Sequence, residues 1–147
     1  MAETIRKVDY FYIETPNKPG EAAKALAALR DAGVNLLAFT GFPSGRKAQI
    51  DFIPEDTASF KAAAKKAGLR LSPKKTGFLI QGEDRAGAIA DILEKLAAAN
   101  VNITAMDAVS AGAGRYGAIM WVKGPDMRKA AKVLSALTSA TPAETQL

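Results

Sequence analysis

Two spacings of apolar residues alternate along the chain. Residues 8–13 (VDYFYI) are β-branched and aromatic and end before Pro16, whereas Ala22, Ala25, Leu26 and Leu29 recur at the i, i+3, i+4, i+7 spacing of an amphipathic helix. GVNLLAF then returns to strand character after Gly33, and AQIDFI reads as its hairpin partner across a glycine-containing loop. A second helix is expected over about residues 55–67, after Pro54, and LRLSP as a closing strand. The same succession follows once more. GFLIQ is a strand, Ile89, Ile92, Leu93 and Leu96 form a helical stripe, NVNITAM and GAIMWV form a hairpin after Asn100, and a last helix spans about residues 126–138. Only ATPAETQL remains for a closing strand there, with weak β character, so that strand is expected to be short, missing or replaced by one from elsewhere.

Self-alignment makes the repetition explicit. At an offset of 67, Phe11 falls on Phe78, Ile13 on Ile80, Gly20 on Gly87, Leu29 on Leu96, Val34 on Val101 and Asn35 on Asn102. The offset reads as 69 in the next hairpin, pairing Ile50 with Ile119 and Phe52 with Trp121, and returns to 67 at Phe60 and Met127. The inferred architecture is α+β: two tandem ferredoxin-like βαββαβ units, each an antiparallel sheet with its helices on one face, over residues 1–72 and 73–147. Units this small are marginal alone, so the open sheet faces need cover. In the second copy both alternating sets of GFLIQ and GAIMWV are apolar, which implies a sheet buried on both sides; in the first, Tyr10, Tyr12, Gln49 and Asp51 make the second face wetter.

Composition narrows the chemistry. The 147 residues contain neither cysteine nor histidine, which removes disulfides, thiolate and imidazole ligands, and a cysteine nucleophile or histidine base. No cofactor or metal is implied, and no residue is nominated as catalytic. The net charge of +5 is spread over both halves rather than gathered in one face or tail, so no nucleic-acid partner is expected. No apolar run reaches the roughly 18 residues of a membrane span, and MAETIRKVDYFYIE lacks an apolar leader core, so a cytoplasmic location without membrane contact is expected.

The candidate chemistry lies in the loop before each leading helix, PNKPG in the first copy and EDRAG in the second. A helix start offers amide groups without intrahelical partners at the positive end of its dipole, which suits a carboxylate. Asn17 or Asp84 is expected to serve as N-cap, Pro19 to set the first turn, and Gly20 and Gly87 to leave the backbone approachable. Asn35 and Asn102 stand at the second position of otherwise apolar strands and could meet either charged end of an amino acid.

NKPGEAAKALAALRDAGVNL, with the looser DRAGAIADILEKLAAANVNI, resembles the ACT domain family, whose signature is a D/N-x-P-G loop, an amphipathic helix and a strand opening Val/Ile-Asn-Ile/Leu. The resemblance implies a free-standing tandem ACT protein: non-catalytic, regulatory and allosteric, binding an amino acid where paired domains meet. It points to Asn17, Lys18, Pro19, Gly20, Asn35 and Leu36 in the first copy and to Asp84, Arg85, Ala86, Gly87, Asn102 and Ile103 in the second. A homodimer and a separate regulated enzyme are the implied partners. Ala86 departs from the motif's proline, and Asp84 puts a negative charge where an effector carboxylate would lie.

Two other readings compete. One is a scaffold or oligomerisation module without ligand; the other is an RNA-recognition domain, which shares the element order. The second fits poorly, since in RYGAIMWV only Arg115 and Ala118 match the aromatic-rich third strand such domains use. GAGRYG at 112–117 formally matches a dinucleotide fingerprint but leads into a strand, not a helix, and is read as a hairpin loop.

Overall fold

The computed structural model describes residues 3–137. Its elements are β1 (Thr4–Pro16), α1 (Glu21–Asp31), β2 (Leu36–Ser44), β3 (Lys47–Pro54), α2 (Thr57–Lys66), β4 (Lys75–Glu83), α3 (Ala88–Ala98), β5 (Ile103–Gly112), β6 (Arg115–Val122), a 3₁₀ turn (Gly124–Asp126) and α4 (Met127–Leu137). Two compact units result, and both are ferredoxin-like. Among the described residues the first comprises residues 9–75, and the second comprises residues 76–137 together with residues 3–8. The expected division at residue 72 placed the whole N-terminus with the first copy, and the difference has a structural reason.

In the first unit the strands lie in the order β2-β3-β1, and antiparallel ladders pair Phe11 with Phe52 and Phe39 with Phe52. LRLSP does not complete a ladder, yet it runs where a closing strand belongs. Ser72 donates its N–H to the Tyr12 carbonyl at 2.8 Å, its hydroxyl accepts the Tyr12 N–H at 2.9 Å, and Leu69 and Leu71 pack on the core. In the second unit the order is β1-β4-β6-β5. Here the opening residues of β1 take the place of the closing strand that the second copy was expected to lack or borrow, and Ile5 packs against that unit's core. ATPAETQL lies outside the described residues.

Leading helices end alike. In α1 the Gly33 N–H reaches the Arg30 carbonyl and the Val34 N–H the Leu29 carbonyl; in α3 Asn100 and Val101 bond Ala97 and Leu96 in the same pattern. Gly33 (φ 76°) and Asn100 (φ 60°) are left-handed, as their place after the helix predicts. Each motif seats an apolar residue, Val34 or Val101, on the core it closes.

The ladders correct the alignment of the hairpins. Ile50 faces Ile13 while Ala118 faces Ile80, and Phe52 faces Phe11 while Met120 faces Phe78. Ile50 and Phe52 therefore correspond to Ala118 and Met120, at an offset of 68, and the expected match to Ile119 and Trp121 was one residue out. One extra residue accounts for it: a bulge leaves Ala111 unpaired between Ser110 and Gly112. In the second helices the fully buried Phe60 and Ala64 have counterparts of the same spacing in Ala130 and Leu134, so the offset there is 70 rather than 67. The large and small partners have exchanged places along the helix.

The helix-facing core of the first unit is built around Phe11, Phe52 and Phe60, whose ring centroids lie 5.4–5.5 Å from Phe60. Phe78, Ile80, Met120, Ile92, Leu96 and Leu134 fill the equivalent space in the second. Leu79, Ile119 and Trp121, on the opposite face of its sheet, are buried too, as the doubly apolar strands imply. Of Tyr10, Tyr12, Gln49 and Asp51, the residues expected to make the second face of the first unit wetter, one is buried. Asp51 is 6% exposed, its carboxylate accepting from the Thr40 hydroxyl at 3.1 Å and the Gln49 amide at 3.0 Å. These bonds satisfy the charge that burial would otherwise penalise.

Candidate functional site

Gly20 and Gly87, rather than Asn17 and Asp84, stand at the N-cap positions of α1 and α3, with left-handed φ of 91° and 81°. A side chain there would be strained, which explains glycine at both positions without reference to a ligand. Neither helix start receives a side-chain hydrogen bond at its cap. The contrast is α2, where Asp56 accepts the Ser59 N–H at 3.0 Å and the Ser59 hydroxyl at 2.7 Å. Those bonds hold the Asp56 carboxyl below its usual range.

Beside the start of α1 lies a hollow of about 270 Å³. Its rim is Asn17, Lys18 and Glu21, its far wall is Phe39, Phe42 and Pro43 of β2, and its floor is Thr15, Ala48, Ile50 and the bare backbone of Gly41. Phe39 and Phe42 are 38% and 45% exposed, unusual for rings in a strand. Phe39 also makes an edge-on contact with buried Phe52 at 5.9 Å. Lys18 approaches Glu21 at 3.8 Å.

The second unit has a hollow of about 430 Å³ at the corresponding place, lined by Asp84, Arg85, Gly87, Ala88, Ile89, Ala108, Val109, Ser110 and Tyr116 among others. Its polar groups are committed. Asp84 accepts from the Ser110 hydroxyl at 2.8 Å and donates its N–H to the Gly114 carbonyl at 2.9 Å, tying the loop to the hairpin. Arg85 pairs with Asp91 at 2.6 Å, which keeps its guanidinium more firmly protonated, and the Ala88 N–H is taken by the Arg85 carbonyl at 3.2 Å. Tyr116, beneath them, is 5% exposed, and burial foremost, then the nearby Glu3 carboxylate, pushes its phenol up to about 12.

The residues singled out from sequence divide by location. Asn17 and Lys18 line the first hollow and Asp84, Arg85 and Gly87 the second, while Pro19, Gly20 and Ala86 belong to the same two loops. Asn35 and Leu36 sit at the opposite end of their unit. Leu36 pairs with Pro54, whereas Pro43, seven residues and roughly 23 Å further along β2, pairs with Ala48 at the hollow. Asn35 there donates its amide to Glu55 at 3.0 Å and its carbonyl accepts the Glu55 N–H, so it fastens the β3–α2 connection. Asn102 immediately precedes β5, whose first residue, Ile103, packs on the core. Sequence reasoning missed the hairpin walls: Phe39, Gly41, Phe42 and Ala48 in the first unit and Ser110 and Tyr116 in the second. A strand pattern that ends on exposed phenylalanines flanking a glycine is the signal that could have found the first set.

Among the described residues no cluster of acidic side chains is placed to hold a metal ion, and no helix is long and apolar enough to cross a membrane.

No family model matches the chain, and no curated protein matches it. Solved structures do. Protein BT0572 from Bacteroides thetaiotaomicron superposes with a TM-score of 0.78 at 20% identity, over 90% of this chain and 89% of that one. The ligand-free regulatory subunit of aspartate kinase from Thermus thermophilus gives 0.62 at 18% identity, over 97% and 98%. Aspartate kinase from Clostridium acetobutylicum, described as an allosteric enzyme, gives 0.58 at 18% identity; 92% of this chain matches 33% of that one. At these identities the likeness establishes the fold.

Proposed function

We propose that this chain is a non-catalytic regulatory protein that binds an amino acid in the hollow beside the start of α1. One observation carries the reading: α1 opens onto a hollow without a side-chain cap, whereas α2 is closed by Asp56. The amides of its first turn and Lys18 suit the ligand's carboxylate, and Glu21 and the Asn17 side-chain carbonyl suit its ammonium. Two of the structural neighbours support a regulatory role, one being a regulatory subunit and the other an allosteric enzyme. Asn35 and Leu36, and likewise Asn102 and Ile103, can contribute only to a loop outside their own unit, which the expected homodimer supplies.

A thermal-shift screen of the twenty amino acids on the purified chain tests this. A true effector at a hundred times its Kd stabilises by about 2.7 kcal/mol, a shift of several degrees. Asn17→Ala should remove most of it. A screen in which no amino acid raises the melting temperature would favour the scaffold reading.

A further inference from the structure

The second unit shows what the first hollow is shaped to hold. Thr15 and Ala48 face each other across β1 and β3, and Gly82 and Tyr116 face each other at the same step of β4 and β6. The Tyr116 ring lies across Gly82: a β-carbon built on that glycine would meet Cε1 of the ring at 2.7 Å and Cζ at 3.1 Å. In the first unit that ring is missing, since its position is Ala48, and Thr15 and Ala48 instead form an open floor.

Resting on the amino-acid reading above, we infer that the first hollow selects a ligand with an aromatic or large aliphatic side chain, seated where the second unit carries its own tyrosine ring. Three features of the cavity agree. Ile50 and Ala48 make the floor apolar; Phe39, on the same face of the sheet, offers a ring surface already exposed to water; and Gly41, opposite Ile50, leaves the space above it empty. A β-carbon at Gly41 would meet nothing within 4 Å, so the opening there is unoccupied by the protein. The second hollow is larger, yet Tyr116 covers its floor and Asp84, Arg85 and Ser110 line it, which disfavours an apolar side chain. Ala48 and Gly41 are therefore the residues that set specificity, through depth and width.

Calorimetric titration of the intact chain with phenylalanine, leucine, alanine, serine, aspartate and lysine tests the inference. Phenylalanine or leucine should bind at least tenfold more tightly than alanine, the discrimination expected from a well-fitted apolar pocket. Thr15→Gly with Ala48→Tyr, which copies the second unit, should lower that affinity tenfold or more. Gly41→Val is a second probe that adds bulk into empty space on a strand and spares the fold. Loss of phenylalanine binding in both variants, with unliganded melting temperatures retained, supports the proposal. Unchanged phenylalanine affinity in Gly41→Val and the double variant overturns it. Binding confined to small or charged amino acids, and abolished by Asn17→Ala, overturns the specificity while leaving the amino-acid reading intact. No binding of any amino acid overturns both.

Discussion

The two units share a ladder register, a helix-ending motif and an uncapped leading helix, yet their cores and hollows are filled by different residues. Phe60 and Ala64 on α2 become Ala130 and Leu134 on α4, and Thr15 and Ala48 at the sheet end become Gly82 and Tyr116. In each case a large group in one unit answers a small one in the other. The backbone plan thus fixes where space must be filled, and each copy chooses which strand or helix position fills it. At the sheet end that choice is a tyrosine ring in one copy and an open floor of Thr15 and Ala48 in the other.

The largest effect should come from the helix exchange. Phe60 is fully buried between Phe11 and Phe52, so Phe60→Ala should destabilise the first unit by about 3–5 kcal/mol, read as a lower midpoint in urea unfolding. If the two cores are equivalent fillings of one plan, adding Ala64→Leu to Phe60→Ala should restore part of the loss. A double variant no more stable than the single one would mean that the correspondence is only one of spacing.

Element types were legible because both copies carry clean helical stripes and glycine or asparagine where helices end. The hairpin offset was not legible in the second copy, because Ala118, Ile119, Met120, Trp121 and Val122 are apolar on both faces and a one-residue slip costs nothing in the pattern. The bulge at Ala111 is likewise hidden among small residues. In the first copy the loop residues Asn17 and Lys18 were readable as a candidate site, whereas the floor and far wall were not. Ala48 and Gly41 matter for what they lack, and absence of bulk becomes informative only beside a copy that has it. The strand that closes the second unit lies some seventy residues upstream of β4, a pairing no local pattern announces.

A smaller effect should follow from Gly82→Ala. The new methyl would meet ring atoms of Tyr116 at 2.7 and 3.1 Å and the Glu3 side chain at 3.0 Å, and would force the ring aside, at a cost of about 1–3 kcal/mol in melting or denaturant experiments. Thr15, its counterpart, already carries a β-carbon because Ala48 leaves it room. Gly82→Ala should therefore be far better tolerated in a Tyr116→Ala background, and a double-mutant cycle measures the coupling. Additive losses would show that the cost of the methyl comes from the Glu3 side chain rather than from the ring.

The smallest effect separates the units at alkaline pH. Tyr116 has its phenol pushed up to about 12 by burial, with the Glu3 carboxylate adding to the shift, whereas the first unit has alanine in that place. An unfolded tyrosine ionises near its ordinary value of about 10. Below that pH both states are neutral and the contribution is constant; above it the unfolded chain loses a proton that the folded one keeps, and stability falls until the folded phenol also ionises. Melting temperatures measured from pH 9 to 12 should therefore decline less steeply in Tyr116→Phe than in the parent chain, and absorbance near 295 nm should show the variant lacking the latest tyrosine to titrate. Tyr10, raised by burial first and then by the Asp51 and Tyr12 charges, remains in both proteins and supplies the internal reference. Parallel declines in the two proteins would mean that the Tyr116 ring is reached by solvent, and the contrast between a filled and an open sheet end would then lose its basis.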